Sequence, residues 1–462
     1  MPRVTTLLPA TEAATPIRCV DAAGWPAVLA ALPPLAAAFA QASGFEAKPG
    51  RVALSPGADG RLETVLFGIE DKNKGKGDAF AVGRLPDALP EGTYRLADYP
   101  GDPALAALAW RLSGYRFGRY RERAAPTARL AVPAGVDAAE IDRIADAVAA
   151  GRDLVNTPAN DLGPAEIEAA ARALAGRFGA ACTVVEGEAL ETGFPLIAAV
   201  GRASPRAPRL IDITWGDPSA PRVTLVGKGV VFDTGGLDIK PSAAMLLMKK
   251  DMAGAAVALA AAEMVMGAAL PVRLRVLVPT VENAVAGDAF RPGDVLKSRH
   301  GLTVEIGNTD AEGRLILADA LSLADEEAPE LVFDFATLTG AARVALGPDL
   351  PALFTEDDAL AAELAATGLA VNDPVWRMPL WAPYAGLLDS KLADLNNVSG
   401  GPFAGAVTAA LFLRRFAPAA KAHVHLDLYG WNPSAKPGRP EGGEVQTARL
   451  VYALLKARYG AR

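Results

Sequence analysis

The feature that most constrains the fold is the alternation, after about residue 160, of short apolar runs with alanine-rich helical runs. The apolar runs are almost continuous in Val, Ile and Leu, which is typical of strands buried on both faces. Strands separated by helices predict an α/β fold with a mostly parallel sheet. The predicted strands are RLIDITW, RVTLVGK, VRLRVLVPT, LVFDFATL and HVHLDLYG.

The length of 462 residues is enough for two domains with separate cores. Residues 1–140 mix short apolar runs with turn residues and predict a smaller N-terminal α/β domain without recognisable chemistry. Two predicted helices meet at a turn containing Pro158, which places a junction at residues 141–165. Residues 166–462 are then the expected catalytic domain, with a mostly parallel or mixed sheet flanked by helices.

Charge and composition restrict the classes of partner. The net charge of −7 and the isoelectric point near 5.3 argue against nucleic acid or an anionic membrane as the main partner. Two cysteines, Cys19 and Cys182, provide no disulfide framework and fit a reducing cytoplasm. The N-terminus lacks the pattern of a signal peptide, and the longest apolar tract is interrupted by Glu263, which favours a buried helix over a membrane span. We therefore expect a cytoplasmic protein.

The stretch NTDAEGRLILADAL places Asp310, Glu312 and Arg314 directly before an apolar helical run. The overlapping stretch GLTVEIGNTD predicts a strand that delivers Asp310 and Glu312 to its carboxyl end. Acids near a helix N-terminus complement the helix dipole, so capping explains one carboxylate. Capping does not explain the arginine, because a cation at that end of a helix is unfavourable. This stretch is therefore a candidate functional site.

A second stretch, GKGVVFDTGGLDIKPSAAMLLMKKDMAGAAVAL, follows a predicted strand. A phosphate-binding loop is excluded because Gly229 follows the lysine where Ser or Thr is required, and a dinucleotide fingerprint fails at Phe232. Taken singly, each charged residue here has an ordinary structural explanation as a turn aspartate, a helix cap or a solvated lysine. The charged candidates are Lys228, Asp233, Lys240 and Asp251.

The two stretches together place four carboxylates at one predicted rim, where they would repel each other unless positive charge neutralised them. Two divalent cations match that charge, and carboxylate oxygens suit them. Three histidines in the chain cannot supply a histidine-rich zinc site, and no HExxH motif is present. A two-metal site activates water for attack on either a carbonyl or a phosphoryl centre.

The segments VGKGVVFDTGGLDIKPS, KKDMAGAA and NTDAEGRLILADAL resemble, in sequence and spacing, the leucyl aminopeptidase family, the cytosol aminopeptidases of peptidase family M17. The resemblance extends over about residues 150–462. It implies that Asp233, Asp310 and Glu312 hold one metal ion, and that a second ion is shared by Lys228, Asp233, Asp251 and Glu312. It also implies that Lys240 and Arg314 are catalytic.

The same resemblance implies a metal-dependent aminopeptidase. Two metal ions, Zn or Mn with Mg or Co as alternatives, would activate a hydroxide, Lys240 would stabilise the oxyanion, and a bicarbonate on Arg314 would transfer the proton. The expected partners are peptides with a free N-terminus and further copies of the chain in a homohexamer, a dimer of trimers. The substrate pocket would be lined by Met248, Thr337, Leu338 and Gly340.

Several residues depart from the family pattern without touching a proposed ligand. Asp238 stands where the family usually has Ser, and Lys249 and Lys250 stand where it has Arg and a small residue. These differences lie near the predicted cleft and make a leucine preference doubtful. Two alternative functions remain open from sequence: a two-metal phosphoesterase, and a DNA-binding architectural protein.

Overall fold

The computed structural model describes residues 7–10, 13–71 and 77–460. The chain divides into two compact units. The first comprises Met1–Ala149 with Ser434–Glu441, and the second comprises Ala150–Pro433 with Gly442–Arg462. The functional boundaries predicted at residues 140 and 165 stay predictions.

The first unit is an α/β domain, as predicted. Its six-stranded sheet has the order β1-β6-β5-β2-β4-β3, in which only the β3–β4 pair is antiparallel among the described residues. The strands are β1 Leu7–Leu8, β2 Thr15–Val20, β3 Val52–Pro56, β4 Leu62–Gly68, β5 Gly92–Leu96 and β6 Ala128–Ala131. The helices are α1 Trp25–Ala31, α2 Pro34–Ala42, α3 Leu85–Ala88 and α4 Pro103–Ser113, with a 3-10 turn at Ala81–Arg84. Helix α5, Ala138–Asn156, runs from the first unit into the second.

The second unit contains the remaining elements. Its strands are β7 Ala181–Glu186, β8 Arg209–Trp215, β9 Arg222–Gly227, β10 Gly229–Asp233, β11 Arg273–Asn283, β12 Val295–Lys297, β13 Thr303–Glu305, β14 Leu331–Ala336, β15 Ala352–Phe354, β16 Trp376–Arg377, β17 Leu395–Asn396, β18 His423–Asp427, β19 Trp431–Asn432 and β20 Gly442–Gly443. Its helices are α6 Pro164–Phe178, α7 Glu188–Gly193, α8 Pro195–Gly201, α9 Ser242–Met245, α10 Ala253–Gly267, α11 Gly313–Asp325, α12 Gly340–Leu346, α13 Asp358–Ala370, α14 Gly405–Arg414 and α15 Ala448–Tyr459. Short 3-10 turns occur at Met248–Met252 and Ala382–Leu388.

A nine-stranded mixed sheet forms the centre of this unit, in the order β16-β15-β18-β14-β9-β11-β8-β7, with β10 also paired to β11. Strands β18, β14, β9 and β11 run parallel. The pairs β11–β8, β8–β7 and β18–β15 are antiparallel, and β16 runs parallel to β15. All five strands predicted in this part of the chain are present, so the α/β prediction is confirmed.

Helices cover the sheet in two groups. Helix α10 packs against β9, β14 and β11 and also touches α6 and α15, whereas α11 packs against the same strands together with α8 and α14. Every residue of α10 from Ala253 to Met266 is buried, which explains its nearly continuous apolar sequence. Within the described residues, no helix is both long and apolar enough to cross a membrane.

The prediction that GLTVEIGNTD forms a strand reaching Asp310 is wrong in extent. Strand β13 ends at Glu305 and belongs to a separate three-stranded sheet, in which it pairs with β12 and β17. A loop then carries the chain to α11, which begins at Gly313 as the sequence predicts. The carboxylates of this segment are therefore presented by a loop rather than by a strand end.

Candidate active site

The candidate site lies where parallel strands of the large sheet end together. Gly227 of β9 is opposite Phe335 of β14, and Ala336 of β14 is opposite Asp427 of β18. Residues that follow these positions consequently meet at one edge of the sheet, as is usual for sites in such folds. Lys228 follows β9, and its backbone N–H donates to the Phe335 carbonyl oxygen at 2.9 Å.

Close packing brings the start of α10 to this edge. A Cβ atom on Gly254 would lie 2.1 Å from the Phe335 carbonyl oxygen, so glycine is required for the approach. A Cβ on Gly227 would similarly lie 2.6 Å from the Cα atom of Ala255. The 3-10 turn before α10 thereby places Asp251 beside Lys228.

The structure brings together the four predicted carboxylates. Asp233, Asp310 and Glu312 each offer an oxygen within 4.8 Å of the others. Asp251 joins them through the ammonium of Lys228, which lies 2.7 Å from Asp251 Oδ2 and 2.9 Å from Glu312 Oε1. The residues of both proposed metal sites are thus contiguous.

Lys240 and Arg314 flank the carboxylates. Lys240 forms ion pairs with Asp233 (2.7 Å) and with Asp310. Arg314 is 7% exposed, and its Nη1 donates to the Asn397 carbonyl oxygen at 2.6 Å. Burial lowers the pKa of Arg314 to about 10, so the guanidinium remains charged at neutral pH.

Burial and crowding of like charges perturb the carboxylates. Burial, together with the charge of Asp233, raises the pKa of Glu312 to about 8 and that of Asp310 to about 6. Burial lowers the pKa of Lys228, but Asp251 and Glu312 outweigh it and the net pKa is raised. The same balance raises the pKa of Lys240. The pKa values of these two carboxylates and two lysines are therefore set by burial together with the charges of their neighbours.

The carboxylate oxygens of this cluster suit divalent cations as ligands. Among the described residues, Glu312 Oε2 is buried with neither a hydrogen-bond donor nor an ion-pair partner. Glu312 Oε1, Asp251 Oδ2 and Asp310 Oδ1 are paired with the ammonium groups of Lys228 and Lys240, which supply two positive charges to four carboxylates. Buried carboxylate oxygens without donors are energetically costly unless a cation neutralises them. Arg314 Nε is likewise buried without an acceptor, which suits a small anion held beside the guanidinium.

The four predicted pocket residues have different surroundings, and one of them contacts the carboxylate cluster. Thr337 is buried, and its hydroxyl donates to Asp251 Oδ1 at 2.8 Å, so it orients that carboxylate. The backbone N–H of Leu338 donates to Asp427 Oδ1 at 3.0 Å. Met248 is half-buried at the start of the 3-10 turn, and Gly340 is exposed at the start of α12.

Sequence reasoning missed several polar residues that position the site. Asn283 donates to Asp233 Oδ1 at 2.8 Å and to the Thr309 carbonyl oxygen at 3.1 Å, which joins the two carboxylate-bearing loops. Asp238 accepts from the Thr309 backbone N–H at 2.7 Å, so this departure from the family pattern also holds the loops together. Asn397 accepts from Gly307 N at 2.8 Å. The only sequence signal for Asn283 was a polar residue ending a long apolar strand.

Comparison with known proteins identifies the family. A model described as the cytosol aminopeptidase family, catalytic domain, matches residues 149–455, and one described as the M17 aminopeptidase N-terminal domain matches residues 15–133. The chain belongs to the cytosol aminopeptidase family. Membership of this family assigns the chain to the aminopeptidases. The family is metal-dependent.

Individual relatives agree with this assignment. A probable cytosol aminopeptidase of Syntrophotalea carbinolica is 45% identical over 326 residues, which cover 69% of this chain and 65% of the relative. One from Roseiflexus castenholzii is 42% identical over 366 residues, covering 75% and 74%. The alignments thus span about two thirds to three quarters of these relatives.

Solved structures show the same fold over nearly the whole chain. The cytosol aminopeptidase of Coxiella burnetii is 45% identical with a TM-score of 0.94, and the match covers 97% of this chain and 98% of that one. The bottromycin maturation enzyme BotP, solved in complex with Mn, is 36% identical with a TM-score of 0.86 over 96% and 100% of the two chains.

Proposed function

We propose that this chain removes the N-terminal residue from peptides with a free α-amine, using two divalent metal ions. The observation that supports the proposal most strongly is the cluster of four carboxylates, which exceeds the positive charge of the two lysines paired with it and leaves Glu312 Oε2 buried without a donor among the described residues. One ion would be held by Asp233, Asp310 and Glu312, and the other by Lys228, Asp233, Asp251 and Glu312. When bound, the ions supply an activated water and a contact for the substrate amine.

The side chains of this chain then orient and stabilise the reacting groups. Lys240, held between Asp233 and Asp310, would donate to the scissile carbonyl oxygen as negative charge develops on it. To act as a ligand, Lys228 must be a neutral amine, and two nearby dications would favour loss of its proton. Thr337 fixes the orientation of Asp251.

Arg314 would hold a bicarbonate beside the cleft. Its Nη1 is already used by the Asn397 carbonyl oxygen, whereas its buried Nε has no acceptor among the described residues. A guanidinium stays protonated and cannot itself accept a proton. Bicarbonate would therefore supply the general base that this position lacks.

We also propose that the protein is cytoplasmic and assembles as a homohexamer, a dimer of trimers. Large apolar side chains are exposed on the surface of the second unit. They support assembly, because an interface between subunits would remove them from water. They are Leu237, Ile239, Leu246, Val344, Trp376, Trp381, Leu387, Leu392 and Phe403. Sedimentation should give a mass near six chains of 47.7 kDa; a monomer at micromolar concentration would contradict the assembly.

Activity and metal binding should be lost together. We expect the manganese-loaded protein to hydrolyse leucine p-nitroanilide but not its N-acetylated form, and to release no phosphate from nitrophenyl phosphate. Asp310→Ala and Glu312→Ala should abolish both hydrolysis and manganese binding, whereas Glu188→Ala, an exposed control, should retain them. Full activity in either of the first two variants refutes the assignment.

A further inference from the structure

Two cations that the proposed mechanism does not use converge on one aromatic ring. The Lys250 ammonium lies 4.5 Å from the centre of the Tyr429 ring, and the Arg343 guanidinium carbon lies 5.4 Å from it. Lys250 is only 5% exposed, whereas Arg343 is exposed. A buried lysine at this position is one of the departures from the family pattern.

Neither cation forms an ion pair with the described residues. In the part of the chain that the structure describes, no carboxylate lies within 4.0 Å of the Lys250 ammonium or the Arg343 guanidinium. Asp251 and, more weakly, Asp427 interact with Lys250 electrostatically. Asp251 is already paired with the Lys228 ammonium and the Thr337 hydroxyl, and Asp427 accepts from the Leu338 and Thr339 backbone N–H groups and the Thr339 hydroxyl.

The two cations lie next to the predicted substrate pocket. A Cβ atom on Gly340 would lie 3.9 Å from Arg343 Nη2, and Lys250 shares the 3-10 turn Met248–Met252 with the pocket methionine. Gly430, the residue after Tyr429, is so close to Thr337 that a Cβ on it would lie 3.1 Å from Thr337 Cγ2. Both cations are therefore close neighbours of the residues predicted to line the pocket for the first side chain of a substrate.

A buried ammonium without a counter-ion is unfavourable, and an aromatic ring offsets only part of that cost. An apolar substrate side chain would leave Lys250 unpaired, whereas a carboxylate would pair with it in a partly desolvated pocket. We infer that the pocket selects substrates whose N-terminal residue is acidic, glutamate or aspartate, through Lys250 with support from Arg343. This inference rests on the proposed aminopeptidase function.

The test compares kcat/KM of the manganese-loaded full chain for glutamyl, glutaminyl and leucyl p-nitroanilides. Glutamine matches glutamate in size but lacks the charge, so the glutamyl:glutaminyl ratio isolates the electrostatic effect. We expect a ratio of at least about tenfold, in line with charged pairs in binding sites. A ratio of one or below overturns the inference while leaving the aminopeptidase assignment intact.

Variants locate the effect. Lys250→Met and Arg343→Met should each lower the glutamyl:glutaminyl ratio, with the larger loss for Lys250→Met, whereas the exposed control Lys297→Met should preserve it. Arg343 is exposed, so its variant remains informative if Lys250→Met does not fold. An unchanged ratio in Arg343→Met and in any folded Lys250→Met protein contradicts the inference.

Calorimetric titration with free glutamate and free glutamine separates this inference from the proposed function, because binding needs no turnover. Preferential glutamate binding by a protein that hydrolyses none of the anilides would support the pocket and refute the peptidase. Hydrolysis of leucyl anilide with equal binding of the two amino acids would support the peptidase and refute the acidic-residue pocket.

Discussion

Replacing Gly313 by alanine should damage the site without weakening the fold. Gly313 is the first residue of α11, where alanine would favour the helix by up to about 1 kcal/mol. However, a Cβ atom there would lie 2.4 Å from Lys228 Cε and 2.6 Å from Lys228 Nζ. Carbon atoms pack at about 3.5 Å, so the end of Lys228 must move by roughly 1 Å.

Lys228 is 3% exposed and its ammonium lies between Asp251 and Glu312, so this movement displaces a proposed ligand. A misplacement of about 1 Å at a reacting centre costs on the order of 10²-fold in rate. We therefore expect Gly313→Ala to lose about that much kcat/KM on leucine p-nitroanilide and to bind manganese more weakly. Its melting temperature should stay close to that of the parent protein.

The matched control is Gly176→Ala in α6, where an added Cβ meets no atom within 4 Å. It makes the same chemical change in a helix far from any steric conflict, and we expect unchanged activity with a stability gain of up to about 1 kcal/mol. If Gly313→Ala retained kcat/KM and manganese affinity within about twofold of the parent, the position assigned to Lys228 would be wrong.

Two further predictions concern buried ion pairs. Arg152→Met removes the partner of Glu444, whose Oε2 lies 2.7 Å from Arg152 Nη2. Denaturant unfolding should show that the free energy of unfolding falls by about 3–5 kcal/mol. A fall of less than about 1 kcal/mol would contradict this prediction. Burial opposes protonation of His425, but the carboxylate of Asp334 outweighs it and raises the His425 pKa above 6.5. This pair therefore stabilises the fold fully below about pH 6.5, and its contribution is lost as pH rises through the raised pKa. Thermal melts from pH 6 to 10 should show this decline in the parent protein but not in Asp334→Asn, and identical profiles would refute it.

Much of the fold could be predicted because the strands are buried on both faces and their apolar sequences are unambiguous. Strand β8 was predicted to the residue at Arg209–Trp215. The short strand β10, by contrast, could not be separated from the loop that follows β9, because only its pairing with β11 distinguishes it. Similarly, β13 ends at Glu305 because its partners β12 and β17 are short, which local sequence does not reveal.

The candidate ligands could be proposed from the sequence because four carboxylates at one rim would repel each other without added positive charge. The residues that position them were not found, since Asn283 and Asn397 act through hydrogen bonds between distant segments. Asp334 illustrates the same limit of sequence reasoning. The sequence shows only an acid inside the apolar strand β14, whereas the structure shows Asp334 buried between His423 and His425 on the adjacent strand, with His423 Nε2 at 2.7 Å from its Oδ2.

The most direct test of the account is the number of manganese ions bound per chain, measured by equilibrium dialysis followed by elemental analysis. Wild-type protein should bind two ions, because four carboxylates and Lys228 would form the two overlapping ligand sets that we propose. Glu312→Gln, which removes the charge of a carboxylate shared by both sets, should bind fewer than one at the same free manganese concentration. Two ions in that variant, or none in the wild-type protein at saturating manganese, would contradict the central claim.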